Sequence, residues 1–164
     1  MEAFSKHAVA MRAAILAFAT LFTLHAQYVQ AQGADAYLTR YIAGLNAAMP
    51  PAGDPARAAD LFAADATQVH VLGEPPGGPQ RNREDIRKFF AGFNMFSDWT
   101  HVEHSRMTHG NRAVWEGIAQ GHHRETGKPL KLPLVFFLSF DNAGAVREAR
   151  IYVDGRSIGE QLQK

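Results

Sequence analysis

The stretch Phe62-Ala63-Ala64-Asp65-Ala66-Thr67-Gln68-Val69-His70-Val71-Leu72-Gly73-Glu74-Pro75-Pro76 decides the fold of this chain. Its first residues end an apolar helix, Asp65 marks a turn, and the β-branched residues that follow predict a strand, which a glycine and two prolines terminate. Because side chains alternate along a strand, Gln68, His70 and Leu72 share one face. The stretch therefore predicts a helix-to-strand corner with the imidazole of His70 among apolar neighbours.

The first 31 residues have the pattern of a signal peptide. Lys6 and Arg12 give a basic start, the apolar run over residues 13–24 is too short to span a bilayer, and Ala31 supplies the small residue of a cleavage site. We predict cleavage after Ala31 and a secreted or periplasmic location, with an uncleaved anchor as the alternative. Residues 32–164 then form the domain.

Composition narrows the classes of partner. The chain has 164 residues, of which 46% are hydrophobic and 20% charged, as expected of one globular domain. Without the first 31 residues, 15 basic residues balance 15 acidic ones. That balance argues against nucleic acid and against a membrane surface as a partner after signal cleavage. The absence of cysteine excludes disulfides and thiolate chemistry.

The remaining patterns predict helices first and strands afterwards. Apolar spacing predicts a helix from Asp35 to Met49, Asp54-Pro55 begins a second that runs to about Ala63, and Asn82 caps a third. Turn signals then separate four strands that form an antiparallel meander. The predicted strands are Trp99 to Thr108, Ala113 to Arg124, Leu130 to Phe140 and Val146 to Asp154.

The strand from Leu130 to Phe140 is apolar on both faces, with Leu134 and Phe136 on one and Val135 and Phe137 on the other. Such a strand is covered on both sides. Helices cover only one face of a single sheet, so we expect a second subunit on the other face and a homodimer.

Five short motifs are distributed over residues 35–162. They are Arg40-Tyr41-Ile42, Phe62 to Thr67, Arg83-Glu84-Asp85-Ile86, Gly127-Lys128-Pro129 and Phe140-Asp141. In this order they resemble the SnoaL-like and ketosteroid isomerase-like group of the NTF2-like superfamily. The resemblance implies an α+β fold, an NTF2-like cone in which a curved antiparallel sheet wraps around three N-terminal helices and encloses a deep apolar pocket.

The resemblance also implies roles for individual residues. Tyr41 matches the tyrosine that donates a hydrogen bond to the substrate oxygen, and His70 stands where the family has its general base. Phe136 replaces the second oxyanion donor, an acid, which makes a classical steroid isomerase a poor match. Phe62 and Phe90 replace two supporting tyrosines. With Leu134, these three phenylalanines are the predicted apolar ligand-binding residues.

The chemistry of these residues suits proton transfer. An imidazole is a competent base at neutral pH, and burial would keep it neutral. The alternatives are a satisfied core histidine at His70 and an ordinary amphipathic tyrosine at Tyr41. Glu116 supplements His70 if its face turns inward, and we count it among the ligand-binding residues. Parity sends His101 and His104 to opposite faces, so we expect no metal site.

We therefore expect an exported protein that binds a small hydrophobic molecule, without a cofactor. As an enzyme it would transfer a proton next to a carbonyl, in an isomerase, cyclase or dehydratase step, with His70 as base and Tyr41 as donor. The alternatives are a non-catalytic ligand-binding module, or a dimeric scaffold with a closed core.

Overall fold

The computed structural model describes residues 33–71, 78–154 and 159–161. The first helix, α1, covers residues 33–48, close to the predicted range. Its apolar stripe explains why it forms, since Leu38, Tyr41, Ile42 and Leu45 recur at helical spacing and are all buried. The predicted signal peptide lies outside the described residues, as does most of the loop that follows β1. Within the described ranges, no helix is long and apolar enough to cross a membrane.

The predicted helix-to-strand corner lies earlier than the sequence indicated. A 3₁₀-helix covers Pro55–Leu61, and the Asp54 side chain caps it by accepting from the Ala56 N–H. The first strand, β1 (Phe62–His70), starts at Phe62 and not after Asp65. The extended backbone at Phe62 buries that side chain completely, and its carbonyl accepts a 2.8 Å hydrogen bond from Arg83 Nε. Long-range packing therefore ends the helix before the local turn signal does.

The predicted third helix and its cap are confirmed. Helix α2 covers Arg83–Ala91, and Asn82 Oδ1 accepts from the Asp85 N–H at 2.9 Å. Ile86 and Phe90 face the core, and Phe89 packs against it. A second 3₁₀ turn, Gly92–Met95, leads into the sheet.

The predicted antiparallel meander is confirmed. It consists of β2 (Phe96–His109), β3 (Arg112–His123), β4 (Pro129–Phe140) and β5 (Val146–Val153). Strand β1 pairs with β5 in parallel, so the curved five-stranded sheet has the order β1-β5-β4-β3-β2 and stays unclosed.

The two faces of the sheet differ in what covers them. On β4 the even-numbered residues face the helices and are buried, Leu134 and Phe136 among them. Phe137, on the opposite face, keeps 44% of its surface exposed. Helix α1 is fixed against the β4–β5 turn, where Arg40 donates to the carbonyls of Ala143 and Gly144 at 2.9 and 3.1 Å. The inner face is therefore the only one that this chain's own helices cover among the described residues.

Candidate active site

The interior between the helices and the sheet brings together most of the predicted site residues. The Tyr41 ring meets Phe62 edge-on at 5.8 Å and Phe136 at 6.2 Å, and Phe62 lies 6.1 Å from Phe90. Leu134 is buried on the same face of β4 as Phe136. Five of the seven predicted residues thus form one buried cluster, which has Tyr41 as its polar member.

The Tyr41 hydroxyl is placed as a hydrogen-bond donor without an acceptor. Tyr41 is only 3% exposed, and none of the described residues accepts a hydrogen bond from its hydroxyl. Burial raises the pKa of Tyr41 well above its usual value. The phenol therefore stays protonated and able to donate to a ligand oxygen.

His70 lies at the end of β1 on the inner face, half-buried, with its ring 4.9 Å from Phe89. Burial lowers the pKa of His70 to about 4, so the imidazole is neutral at neutral pH. Phe89 contacts Phe90, which contacts Phe62. Three phenyl rings therefore connect His70 to Tyr41.

Hydrogen bonds that run from the Gly78 carbonyl through Gln80 and Gln68 determine which ring nitrogen of His70 carries the proton. Gln80 Nε2 donates to the Gly78 carbonyl at 2.6 Å, which leaves Gln80 Oε1 to accept from Gln68 Nε2 at 3.2 Å. The same Gln68 nitrogen lies 3.3 Å from His70 Nε2. Because an amide nitrogen only donates, His70 Nε2 is the acceptor and Nδ1 carries the proton. Gln68 Oε1 is buried and has no hydrogen-bond partner within the part of the chain that the structure describes.

His101 is an interior residue whose place in the site was not predicted from the sequence, where it stood out only as one of two histidines that could bind a metal. It faces inward from β2, is 8% exposed, and lies among the rings of Phe136, Trp115 and Trp99 at 6.0, 6.3 and 6.5 Å. Burial lowers the pKa of His101 to about 4, so this imidazole is also neutral. The alternation with Trp99 two residues earlier is the sequence signal that could have placed it inside.

Two tryptophans beside His101 carry unused donors. Trp115 is fully buried and stacks on Phe136 at 5.0 Å, and Trp99 is 5% exposed. Neither indole N–H has a hydrogen-bond partner among the described residues. A buried polar group without a partner costs about 1–3 kcal/mol.

The structure places Glu116 apart from this cluster. Its neighbour Trp115 faces inward, so Glu116 lies on the outer face, exposed, and accepts a 2.9 Å hydrogen bond from Ser105 Oγ. His122 shares that face and contacts Asp98 at 3.0 Å. We expected Glu116 to supplement His70 only if its side chain pointed inward. Since the side chain points outward, Glu116 does not supplement His70. Among the described residues, no group of three or more metal-ligating side chains could hold a metal ion.

A groove of about 630 Å³ lies elsewhere, between α1 and the 3₁₀-helix that precedes β1. Its lining includes Gly44, Ala48, Asp54, Arg57 and Leu61, none of which is a predicted site residue. The aromatic interior and this groove are therefore separate features.

Comparison with known proteins agrees with this architecture. Residues 38–149 match the family model of the SnoaL-like domain. A search of curated proteins finds no significant match.

Solved structures share the fold at low sequence identity. A hypothetical protein from Catenulispora acidiphila with a ketosteroid isomerase-like fold, solved in complex with trimethylamine, has a TM-score of 0.61 and 21% identity over 74% of this chain and 90% of its own. A protein assigned as a SnoaL-like polyketide cyclase, from Jannaschia sp. CCS1, has a TM-score of 0.62 and 15% identity over 77% and 91%. TerC, co-crystallised with polyporic acid, has a TM-score of 0.63 and 16% identity over 79% and 97%.

Proposed function

Because the chain belongs to the SnoaL-like domain family, we propose that it binds a small hydrophobic carbonyl compound in the aromatic interior and catalyses cofactor-independent proton transfer next to the carbonyl. Isomerisation, cyclisation and dehydration are the reaction types in this class. The observation that carries the proposal is the hydroxyl of buried Tyr41, a protonated donor that has no acceptor in the described ranges and whose ring packs edge-on against Phe62 and Phe136. A donor in this setting stabilises negative charge that develops on a carbonyl oxygen.

His70 is the base in this proposal. Its neutral Nε2 lone pair accepts the proton from the carbon next to the carbonyl. The C–H electron pair forms the carbon–carbon double bond of the enolate, and the π electrons of the carbonyl move onto its oxygen, where Tyr41 stabilises the negative charge. Return of the proton from the imidazolium completes the cycle. The hydrogen bond from Gln68 Nε2 to His70 Nε2 must break before this step. At 3.3 Å it is long for a hydrogen bond and therefore weak.

Hydrogen–deuterium exchange tests this chemistry without knowledge of the natural substrate. The protein is incubated with 1-tetralone in D₂O, and loss of the C2 proton signal is followed by NMR. We expect wild-type protein to accelerate exchange, His70→Gln to lose about 10²–10⁴-fold of that acceleration, and Tyr41→Phe about 10²–10³-fold. His104→Gln, on the exposed part of β2, is the control. Equal rates for His70→Gln and wild type would remove His70 as the base.

The second candidate function is non-catalytic ligand binding. The Gln68 contact favours it, because the only lone pair of the neutral His70 ring is already an acceptor. Under this function 1-tetralone binds and its C2 protons exchange at the uncatalysed rate. Faster exchange than in buffer rejects it.

We also propose that the protein is a homodimer through the outer face of its sheet. Phe137 is 44% exposed and contacts Tyr152 at 5.3 Å, and Met107 and Val102 add exposed apolar surface to the same face. Phe137→Asp should give a monomer in sedimentation velocity. The control is Met95→Asp, an equally exposed apolar residue on the 3₁₀ turn before β2. A wild-type monomer at micromolar concentration would overturn the dimer.

Export to the periplasm or the medium is the last part of the proposal, and it rests on the sequence of residues 1–31. Mass spectrometry of the protein recovered outside the cytoplasm should give an N-terminus at Gln32. A protein retained in the cytoplasm with its first 31 residues would contradict export.

A further inference from the structure

The Asn46 side chain fixes which nitrogen of His101 carries a proton. Asn46 Nδ2 donates to the His101 carbonyl at 3.1 Å, so the amide oxygen is the atom that meets the His101 backbone N–H at 2.8 Å. The same oxygen lies 3.0 Å from His101 Nδ1. Since a carboxamide oxygen only accepts, Nδ1 must be protonated. Nε2 of this neutral ring is then a lone pair.

That lone pair differs from the one on His70. The Nε2 atom of His70 already accepts from Gln68, whereas no described residue donates to Nε2 of His101. Fewer aromatic rings separate His101 from Tyr41 than separate His70 from Tyr41. Only one ring, that of Phe136, lies between His101 and Tyr41, with centroid distances of 6.0 and 6.2 Å.

The groups around His101 determine which ligand atom suits this position. The imidazole offers an acceptor, and the rings of Phe136, Trp115 and Trp99 surround it with apolar surface. A carbonyl or ether oxygen only accepts and leaves the imidazole unmatched. A hydroxyl group donates to Nε2 and therefore matches the imidazole.

We propose that His101 is the hydroxyl-binding group of the interior site, held in the required tautomer by Asn46, so that the ligand is a carbonyl compound that also carries a hydroxyl. This inference rests on the proposed function, because Tyr41 is taken to bind the carbonyl. His101 touches the ligand, whereas Asn46 is a positioning residue that acts through His101.

The test compares two ligands that differ by one hydrogen-bond donor, 6-hydroxy-1-tetralone and 6-methoxy-1-tetralone. Isothermal titration calorimetry should give at least about tenfold tighter binding of the hydroxy compound to wild-type protein. His101→Phe should remove the preference, and His104→Phe, an exposed residue of the same strand, should keep it. Equal affinities of wild-type protein for the two compounds would overturn the inference, while catalysed exchange of 1-tetralone would still support the proposed function.

Ring nitrogen NMR of ¹⁵N-labelled protein gives a readout that needs no variant. We expect His101 protonated at Nδ1 in the free protein, and a shift of its Nε2 signal with the hydroxy compound only. Asn46→Ala should populate both tautomers. Protonation at Nε2 in the free wild-type protein overturns the proposal, and so does an Nε2 signal that the hydroxy compound leaves unchanged, which would mean that the position holds an ordered water only.

Discussion

The Gln68 amide nitrogen lies 3.3 Å from His70 Nε2 and thereby occupies the lone pair that a general base needs. Gln68 is fully buried, and its orientation is set by Gln80, whose backbone also pairs with it in both directions at 2.9 and 3.0 Å. The availability of His70 as a base is thus controlled by a residue two positions earlier on the same strand face.

Substitution of Gln68 should increase catalysed exchange. In Gln68→Met the long side chain still fills the site, and His70 Nε2 no longer has to release a donor. A neutral hydrogen bond contributes about 0.5–1.5 kcal/mol, so we expect exchange of 1-tetralone to rise about 2- to 10-fold. Gln120→Met, a half-buried glutamine of β3 that faces away from the interior, is the control and should leave the rate unchanged. A slower rate in Gln68→Met would mean that Gln68 positions His70 and does not block it.

Stability should fall as the pH is lowered from about 6.5 towards 4. Burial lowers the pKa of His101 to about 4 in the folded protein, while the unfolded chain binds the proton near the usual value of 6.5. The unfolded state therefore binds a proton more readily than the folded state between pH 6.5 and 4. Protonation of His101 alone lowers the free energy of unfolding by about 3 kcal/mol over this range. His70 acts in the same direction, since burial lowers its pKa to about 4 as well.

Urea unfolding at a series of pH values between 7.5 and 4 measures this effect. We expect His101→Phe to have a flatter dependence than wild type, by up to about 1.4 kcal/mol per pH unit in the middle of the window. The exposed His104, changed to Phe, should keep the wild-type slope. Identical slopes for all three proteins would contradict a buried, neutral His101.

The sequence predicted correctly those elements that are determined by residues close to them in the chain. The apolar spacing in α1, the Asn82 cap and the hairpin turns lie within a few residues of the elements that they define, and all three agree with the structure. The parallel pairing of β1 with β5 joins residues about eighty positions apart, and no local pattern encodes it.

In the candidate site, too, single positions could be predicted from the sequence, whereas features that depend on long-range contacts could not. The family resemblance indicated Tyr41 and Phe136, which are in ring contact. The significance of His101 depends on Asn46, which is 55 residues away in sequence and belongs to a different element. The face of Glu116 is set by the parity of β3, which requires knowing that Trp115 points inward.

The Trp115 ring occupies the space that a side chain at position 117 would need, so we expect the position of Trp115 to depend on Gly117. A Cβ atom at Gly117 would collide with the Val102 carbonyl oxygen and the Trp115 ring. We expect Gly117→Ala to destabilise the fold by about 1–3 kcal/mol and to change the near-UV circular dichroism of the tryptophans. Gly92→Ala is the control, since nothing lies within 4 Å of its Cβ position and its backbone is helical, so it should be neutral or slightly stabilising. Equal effects of the two substitutions would show that Trp115 relocates without cost.

Gly144, in the turn that holds α1 against the sheet, can be compared with Gly110 in another hairpin turn. Gly144 and Gly110 both have positive φ, +79° and +59°, so alanine is strained at either position, by about 1 kcal/mol. At Gly144 the added Cβ would also collide with the Arg40 and Tyr37 side chains, whereas at Gly110 nothing lies within 4 Å. We therefore expect Gly144→Ala to lower the free energy of unfolding by more than Gly110→Ala, in urea titrations at pH 7.5.

A double-mutant cycle identifies the cause of the extra loss. Arg40 donates to the carbonyls of Ala143 and Gly144, so Arg40→Ala removes both hydrogen bonds together with one of the colliding side chains. If Gly144→Ala acts by displacing Arg40, the two substitutions combined should cost less than the sum of their separate effects, by about 0.5 kcal/mol or more. Strict additivity would mean that the loss at Gly144 comes from backbone strain and the Tyr37 contact, and that Arg40 holds α1 independently of this turn.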